Sequence, residues 1–200
     1  LGAPLPLQGR LYLLAELKSE VRLVVLNARD GKLLWQQQLA HLDNNILARA
    51  PMRRLAGATR ACSDGVLVCP AGAGAVVGLD IATRSLLWGY QYNSNFSGAK
   101  VSYGQTRQVV KDKWLDDSPT IADKWVLLTP PESDEFHCLD LLTGTEAKWS
   151  PVKREDMLYV ASVVNNKAVL VGKSEVRALD LETGQPAWDP IKLDEANPSG

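Results

Sequence analysis

Three cysteines, two histidines and 23 acidic residues are the side chains with chemistry to offer, and their spacing organises little of it. Cys62, Cys69 and Cys138 are odd in number, which rules out a fully paired disulfide framework. Cys62 and Cys69 flank Ser63-Asp64-Gly65, but a tight hairpin there does not set them opposite each other, so buried free thiols on strands are expected. His41 and His137 lie far apart, each without a partner at metal-ligand spacing. His137 precedes Cys138, yet neighbours on a strand point to opposite faces, which argues against shared ligation. Gly72 and Gly74 have the look of a nucleotide loop, but no helix follows, and a hairpin turn is the plainer reading. No serine sits in a Gly-x-Ser-x-Gly setting, so a hydrolase triad has no support.

The acidic residues fall mostly in turns: Asp30 and Asp64 in tight ones, Asp116 and Asp117 before a proline-bearing strand, Glu132 and Asp134 in a hairpin loop. A formal net charge of -1 leaves no basic footprint for nucleic acid, and the one basic knot, Arg49 with Arg53 and Arg54, reads as a solvated loop. Hydrophobic residues at 46% and charged ones at 22% suit a soluble chain able to bury a core. No apolar run approaches the ~18 residues that span a membrane. The chain starts at Leu1 without a charged leader and ends in Asn197-Pro198-Ser199-Gly200, so both ends read as cuts in a longer chain.

The elements that would position these residues come as a repeat. Four segments align: Leu26 to Trp35, Leu79 to Trp88, Leu139 to Trp149 and Leu179 to Trp188. Each begins with an apolar strand ending in Leu before Asn27, Asp80, Asp140 or Asp180. Three residues on stands Asp30, Thr83, Thr143 or Thr183, whose side-chain oxygen can accept backbone N–H groups within a tight turn. Gly31, Gly144 or Gly184 follows, where a left-handed residue without a Cβ is wanted. A hairpin with a type I turn and a Gly bulge needs that order. The second copy has Arg84 in the glycine's place, so either its turn differs or Arg84 accepts strain of ~1 kcal/mol. Trp35, Trp88, Trp149 and Trp188 are expected on the strand that follows.

Two strands lie upstream of each turn, and a third precedes them, which makes four antiparallel strands per unit. Near-continuous apolar runs such as Val66-Leu67-Val68-Cys69 and Val126-Leu127-Leu128 predict strands covered on both faces. A unit of ~40 residues with loops of variable length describes a β-propeller blade. The expected fold is all-β, with four blades over about 3-39, 57-92, 118-150 and 157-192 filling 1-200 as a partial propeller.

At these residues the chain resembles the quinoprotein-like (PQQ-like repeat) β-propellers, whose signature is Ala-x-Asp or Leu-Asp, then Thr-Gly, then Trp. The resemblance implies that the four tryptophans dock between adjacent blades. It also implies seven or eight blades in the whole ring, so four form an open arc or a fragment, with a closed four-bladed ring as the lesser alternative. The enzymes of this family hold pyrroloquinoline quinone and calcium beneath an adjacent Cys-Cys pair, with a Glu/Asn/Asp calcium set and an Asp base. No Cys-Cys pair occurs here, so no catalytic, cofactor-binding or metal residue is assigned. The BamB-like propeller lipoprotein of the outer-membrane β-barrel assembly machinery is the nearer functional model. It implies a non-catalytic scaffold outside the cytoplasm that binds a protein or another ligand. A fragment of a quinone-dependent dehydrogenase, with its site in other blades, is the alternative.

Two connections, 40-55 and 90-117, exceed the ~12–15 residues usual for a structureless loop. The second carries Tyr90, Tyr92, Asn93, Asn95, Phe96, Tyr103, Gln105, Arg107 and Trp114. Aromatics interleaved with amides and arginine suit a recognition surface for protein or glycan, and equally suit packing of the loop onto the blades.

Overall fold

The computed structural model describes residues 4–41, 61–71, 74–93, 114, 116, 118–131 and 133–193. Among them there is no helix, and the strands form four four-stranded antiparallel sheets. The first sheet joins β1 (Leu5–Leu7), β2 (Arg10–Leu17), β3 (Glu20–Asn27) and β4 (Leu33–His41). The second joins β5 (Ala61–Ser63), β6 (Val66–Pro70), β7 (Ala75–Asp80) and β8 (Leu86–Gln91). The third holds β9 (Thr120–Ala122), β10 (Trp125–Leu128), β11 (Glu135–Asp140) and β12 (Val152–Lys153). The fourth holds β13 (Met157–Val164), β14 (Lys167–Gly172), β15 (Glu175–Asp180) and β16 (Ile191–Lys192). Within each sheet the strands follow chain order, so every sheet is a meander, and the four blades make an open arc.

The core is split into three seams between successive blades, because successive residues of a strand face opposite ways. Along β6, Leu67 and Cys69 pack with Tyr12, Leu14, Leu23 and Val25 of the first blade. Val66 and Val68 turn the other way and meet Val126, Leu128, Leu139 and Leu141 of the third. Leu127, Phe136 and Cys138 then face Met157, Ala168 and Leu170 of the fourth. The unbroken apolar runs are thus double-faced strands, each burying a leucine or valine worth ~1.5–3 kcal/mol on either side. At the ends of the arc the alternation continues without a covering blade. Leu11, Leu13, Val24 and Leu26 line one outer face and Val169, Val171 and Val176 the other, all half-buried.

All four repeat turns close alike. The N–H of Gly31, Arg84, Gly144 and Gly184 donates to the carbonyl of Asn27, Asp80, Asp140 and Asp180, at 2.9, 2.8, 2.9 and 2.7 Å. Their φ angles are +71°, +63°, +67° and +69°, so the Arg84 turn is the same turn with a side chain in the left-handed region. One expectation is corrected here. Trp35 and Trp88 lie on β4 and β8, but Trp149 and Trp188 stand in turns ahead of the two-residue β12 and β16. In those blades the chain after the glycine makes single bridges, Leu139 to Glu146 and Leu179 to Pro186. Prolines explain the shortened outer strands, since Pro151, Pro186 and Pro190 have no N–H for a ladder.

Candidate functional site

The repeat residues meet at the seams. Trp88 donates its indole N–H to the carbonyl of Leu141 in the next blade at 2.8 Å. Its ring lies on Gly144, where a Cβ would come within 2.5 Å of Cδ2, and against Gly78 of its own blade, where a Cβ would reach 2.1 Å from Cε2. Trp149 repeats the arrangement one blade on, donating to Leu181 at 3.0 Å and lying on Gly184. The repeat glycine therefore serves twice: it permits positive φ, and it leaves room for an indole.

The first seam departs from this. Arg84 fills the glycine's place, its guanidinium carbon 5.7 Å from the centre of the Trp35 ring. The Trp35 indole N–H is buried without a hydrogen-bond partner among the described residues, and the ring is held edge-on to Tyr12 at 6.4 Å. Trp188 is half-buried on the last blade. The turn aspartates act within their own turns: Asp140 Oδ1 accepts from the N–H groups of Leu142 and Thr143 and from the Thr143 hydroxyl. Asp180 does the same with Glu182 and Thr183, and Asp80 accepts from the Thr83 N–H. Those backbone donors hold the carboxyls of Asp80 and Asp180 below their ordinary range.

A polar cluster fills one end of the seam between blades two and three. Tyr90, on β8, donates its hydroxyl to Glu146 Oε1 at 2.6 Å and lies 3.0 Å from His137 Nδ1. A phenol has one proton, and here the carboxylate takes it. His137 must then donate from Nδ1 to the Tyr90 oxygen, which leaves Nε2 as an acceptor for Ser133 at 3.5 Å. Ser150 donates to the same Glu146 oxygen at 2.9 Å and accepts from the Cys138 N–H. Burial pushes the His137 imidazole below its usual pKa against the opposing pull of Glu146, and burial with Glu146 raises the Tyr90 phenol. Cys138, on the opposite face of β11, is pushed up to about 12, chiefly by burial, so it is an inert thiol. Cys62, Cys69 and Cys138 form no disulfide with one another, and Cys62 stands opposite Leu67.

Of the residues named in the long second connection, Tyr90, Tyr92, Asn93 and Trp114 are described; Asn93 is exposed, and the three aromatics touch blade three. Tyr92 is buried with its ring 5.4 Å from that of His137. Trp114 is buried 6.5 Å from Phe136 and donates to the Glu135 carbonyl at 3.3 Å. Asn95, Phe96, Tyr103 and Arg107 lie outside the described residues. Reading the sequence for function missed His137 and Glu146 as a pair, although a signal was there. His137 stands where the first two copies have Val24 and Val77, and Glu146 where they have Leu33 and Leu86. Two polar residues in apolar repeat positions point to each other.

Four-stranded meanders stacked face to face, with a tryptophan of one seated on the Gly turn of the next, define a PQQ-like repeat β-propeller architecture. A family match, to outer membrane protein assembly factor BamB, spans residues 19–196, and the chain belongs to that family. BamB from Moraxella catarrhalis is similar in structure, with a TM-score of 0.54 and 19% identity over 90% of this chain and 45% of that one. A europium-containing methanol dehydrogenase gives a TM-score of 0.59 and 12% identity over 95% of this chain and 41% of its own. The chain thus spans less than half the length of either. No curated protein is significantly similar to it.

Proposed function

We propose that this chain is part of a non-catalytic propeller scaffold that binds protein outside the cytoplasm. The observation that carries this reading is a set of leucines left in solvent on three successive blades, the pairs on the first two at the same repeat step. Leu33 and Leu34 open β4, Leu86 and Leu87 open β8, and Leu142 sits in the turn after β11; they are 42–62% exposed. Large apolar side chains in solvent, recurring from blade to blade, suit a protein-binding surface. The groups able to do chemistry are committed elsewhere, the aspartates to their turns and Tyr90, His137 and Glu146 to one another. Membership of an outer-membrane assembly factor family supports protein partners in the cell envelope.

The quinone and calcium of the family's enzymes can be tested against the residues present. Among the described residues no three His, Cys, Asp or Glu come together as a metal set, and the sequence has no adjacent cysteines. These residues do not fit that group. Photo-crosslinking residues placed at Leu33, Leu86 and Leu142 are expected to yield a discrete adduct with one envelope protein, and to yield none when placed at Lys167. Saturable, calcium-dependent quenching of tryptophan fluorescence by pyrroloquinoline quinone, with dye-linked alcohol oxidation, would overturn the reading in favour of a dehydrogenase.

A further inference from the structure

Each of the three internal seams has a blade on either side, so the three can be compared with one another whatever lies before blade one or after blade four. All three bury comparable sets of apolar side chains. Leu14 and Leu23 meet Leu67 and Leu79 in the first, Val66 and Val68 meet Val126 and Leu139 in the middle, and Leu127 and Phe136 meet Leu170 and Leu181 in the last. The seams differ in the tryptophan dock. Trp88 and Trp149 each give the indole N–H to a carbonyl of the next blade, Leu141 or Leu181, and lie on that blade's glycine, Gly144 or Gly184. A further polar link crosses beside each: Tyr90 to Glu146 at the middle seam, and Lys124 to Glu182 at 2.9 Å at the last.

At the first seam both glycines of the Trp88 dock are replaced by larger residues. Trp88 pairs with Gly78 across its own sheet, whereas Trp35 pairs with Val25. Arg84 holds the place of Gly144, and Ile81 the place of Leu141. An indole comes within 2.5 Å of the Cβ position at Gly144 and Gly184, ground that a real Cβ occupies at Arg84. The Trp35 N–H accordingly has no acceptor among the described residues, and a cation–π contact with Arg84 takes the place of the hydrogen bond. A buried donor left unmade costs more than such a contact returns. With apolar burial alike, the first seam is the weakest of the three.

We propose that the first seam is the built-in opening point of the arc. Blades one and two part there while the other two seams stay shut, baring the apolar faces of Leu14 and Leu23 on one side and Leu67 and Leu79 on the other. Opening by cooperative units, beginning at the least stable, is how a packed array of this kind moves. The inference does not rest on the scaffold reading.

Two cysteines report on it, Cys69 fully buried in the first seam and Cys138 fully buried in the last. N-ethylmaleimide labelling of the native 200-residue chain, followed by mass spectrometry of the two peptides, compares the seams directly. Each rate is scaled to that of the same thiol in the unfolded chain. Cys69 is expected to label ~5–30-fold faster than Cys138, the ratio that one or two kcal/mol of seam stability gives. Arg84→Gly is expected to slow Cys69 by ~5-fold and leave Cys138 unchanged. Gly184→Arg, which builds the first seam's arginine into the last, is expected to speed Cys138 and leave Cys69 unchanged. Equal rates in the wild type, or a faster Cys138, overturn the proposal. So does a Cys69 rate that Arg84→Gly does not move, because Cys69 is then exposed by a motion other than the parting of this seam.

Discussion

Arg84 is the residue at which the repeat breaks its own rule, and the break touches two energies at once. Its backbone sits at φ +63°, where a side chain costs ~1–2 kcal/mol, and its Cβ occupies the ground on which Trp88 and Trp149 lie in the later seams. Trp35 is left with a buried indole N–H and no acceptor among the described residues, a loss of ~1–3 kcal/mol, partly offset by the guanidinium over its ring at ~0.5–1 kcal/mol. Arg84→Gly removes the strain and opens the dock, at the cost of a freer unfolded chain. The balance favours the variant by ~1 kcal/mol, a rise in melting temperature of ~2–4 °C for a chain of this size. Thermal denaturation checks it, and the gain should shrink when Trp35→Phe has removed the N–H. The converse substitution, Gly144→Val, puts a Cβ 2.5 Å from the Trp88 ring at φ +67°. It is expected to destabilise by ~3 kcal/mol, strain and lost packing together, which a denaturant midpoint would show.

At the scale of strands and turns, the cluster of Tyr90, His137 and Glu146 links β8 of blade two to blade three, and it gives that seam a pH dependence of known sign. Burial holds the folded imidazole below its unfolded value of ~6.5, so above that pH both states are neutral and the seam is whole. As pH falls through the unfolded value, the unfolded chain takes up the proton first, and stability is lost until the folded pKa is passed. Melting measured from pH 8 to pH 5 should therefore fall more steeply for the wild type than for His137→Gln; parallel curves would remove His137 from the explanation. The blades themselves were legible in the sequence, because the Leu-Asp, Thr-Gly and Trp spacing encodes a local hairpin and the apolar runs encode two-sided burial. The outer strands of blades three and four were not. Trp149 and Trp188 were expected on strands, but Pro151, Pro186 and Pro190 deny those edges their N–H donors. The partnership of His137 with Glu146 and Tyr90 was also hidden, since it depends on which faces two separate blades turn to each other.

The whole arc is a one-dimensional array in which each blade touches only its neighbours, so its stability resolves into blade terms and seam terms. That decides what removing one tryptophan does. Trp88 closes the middle seam, through Leu141, Gly144 and the cluster of Val66, Val68 and Leu139, while Trp149 closes the last seam onto Leu181 and Gly184. Either truncation to alanine should remove ~3–5 kcal/mol, but from different places. Trp149→Ala should release blade four alone, so hydrogen exchange quickens over β13 to β16 while β2, β3, β6 and β7 keep their protection. Trp88→Ala should divide the arc into halves that each retain an intact seam, so a single denaturation curve broadens or splits. If exchange instead rises evenly along the chain in both variants, the arc unfolds as one unit and the seams are not its elementary steps.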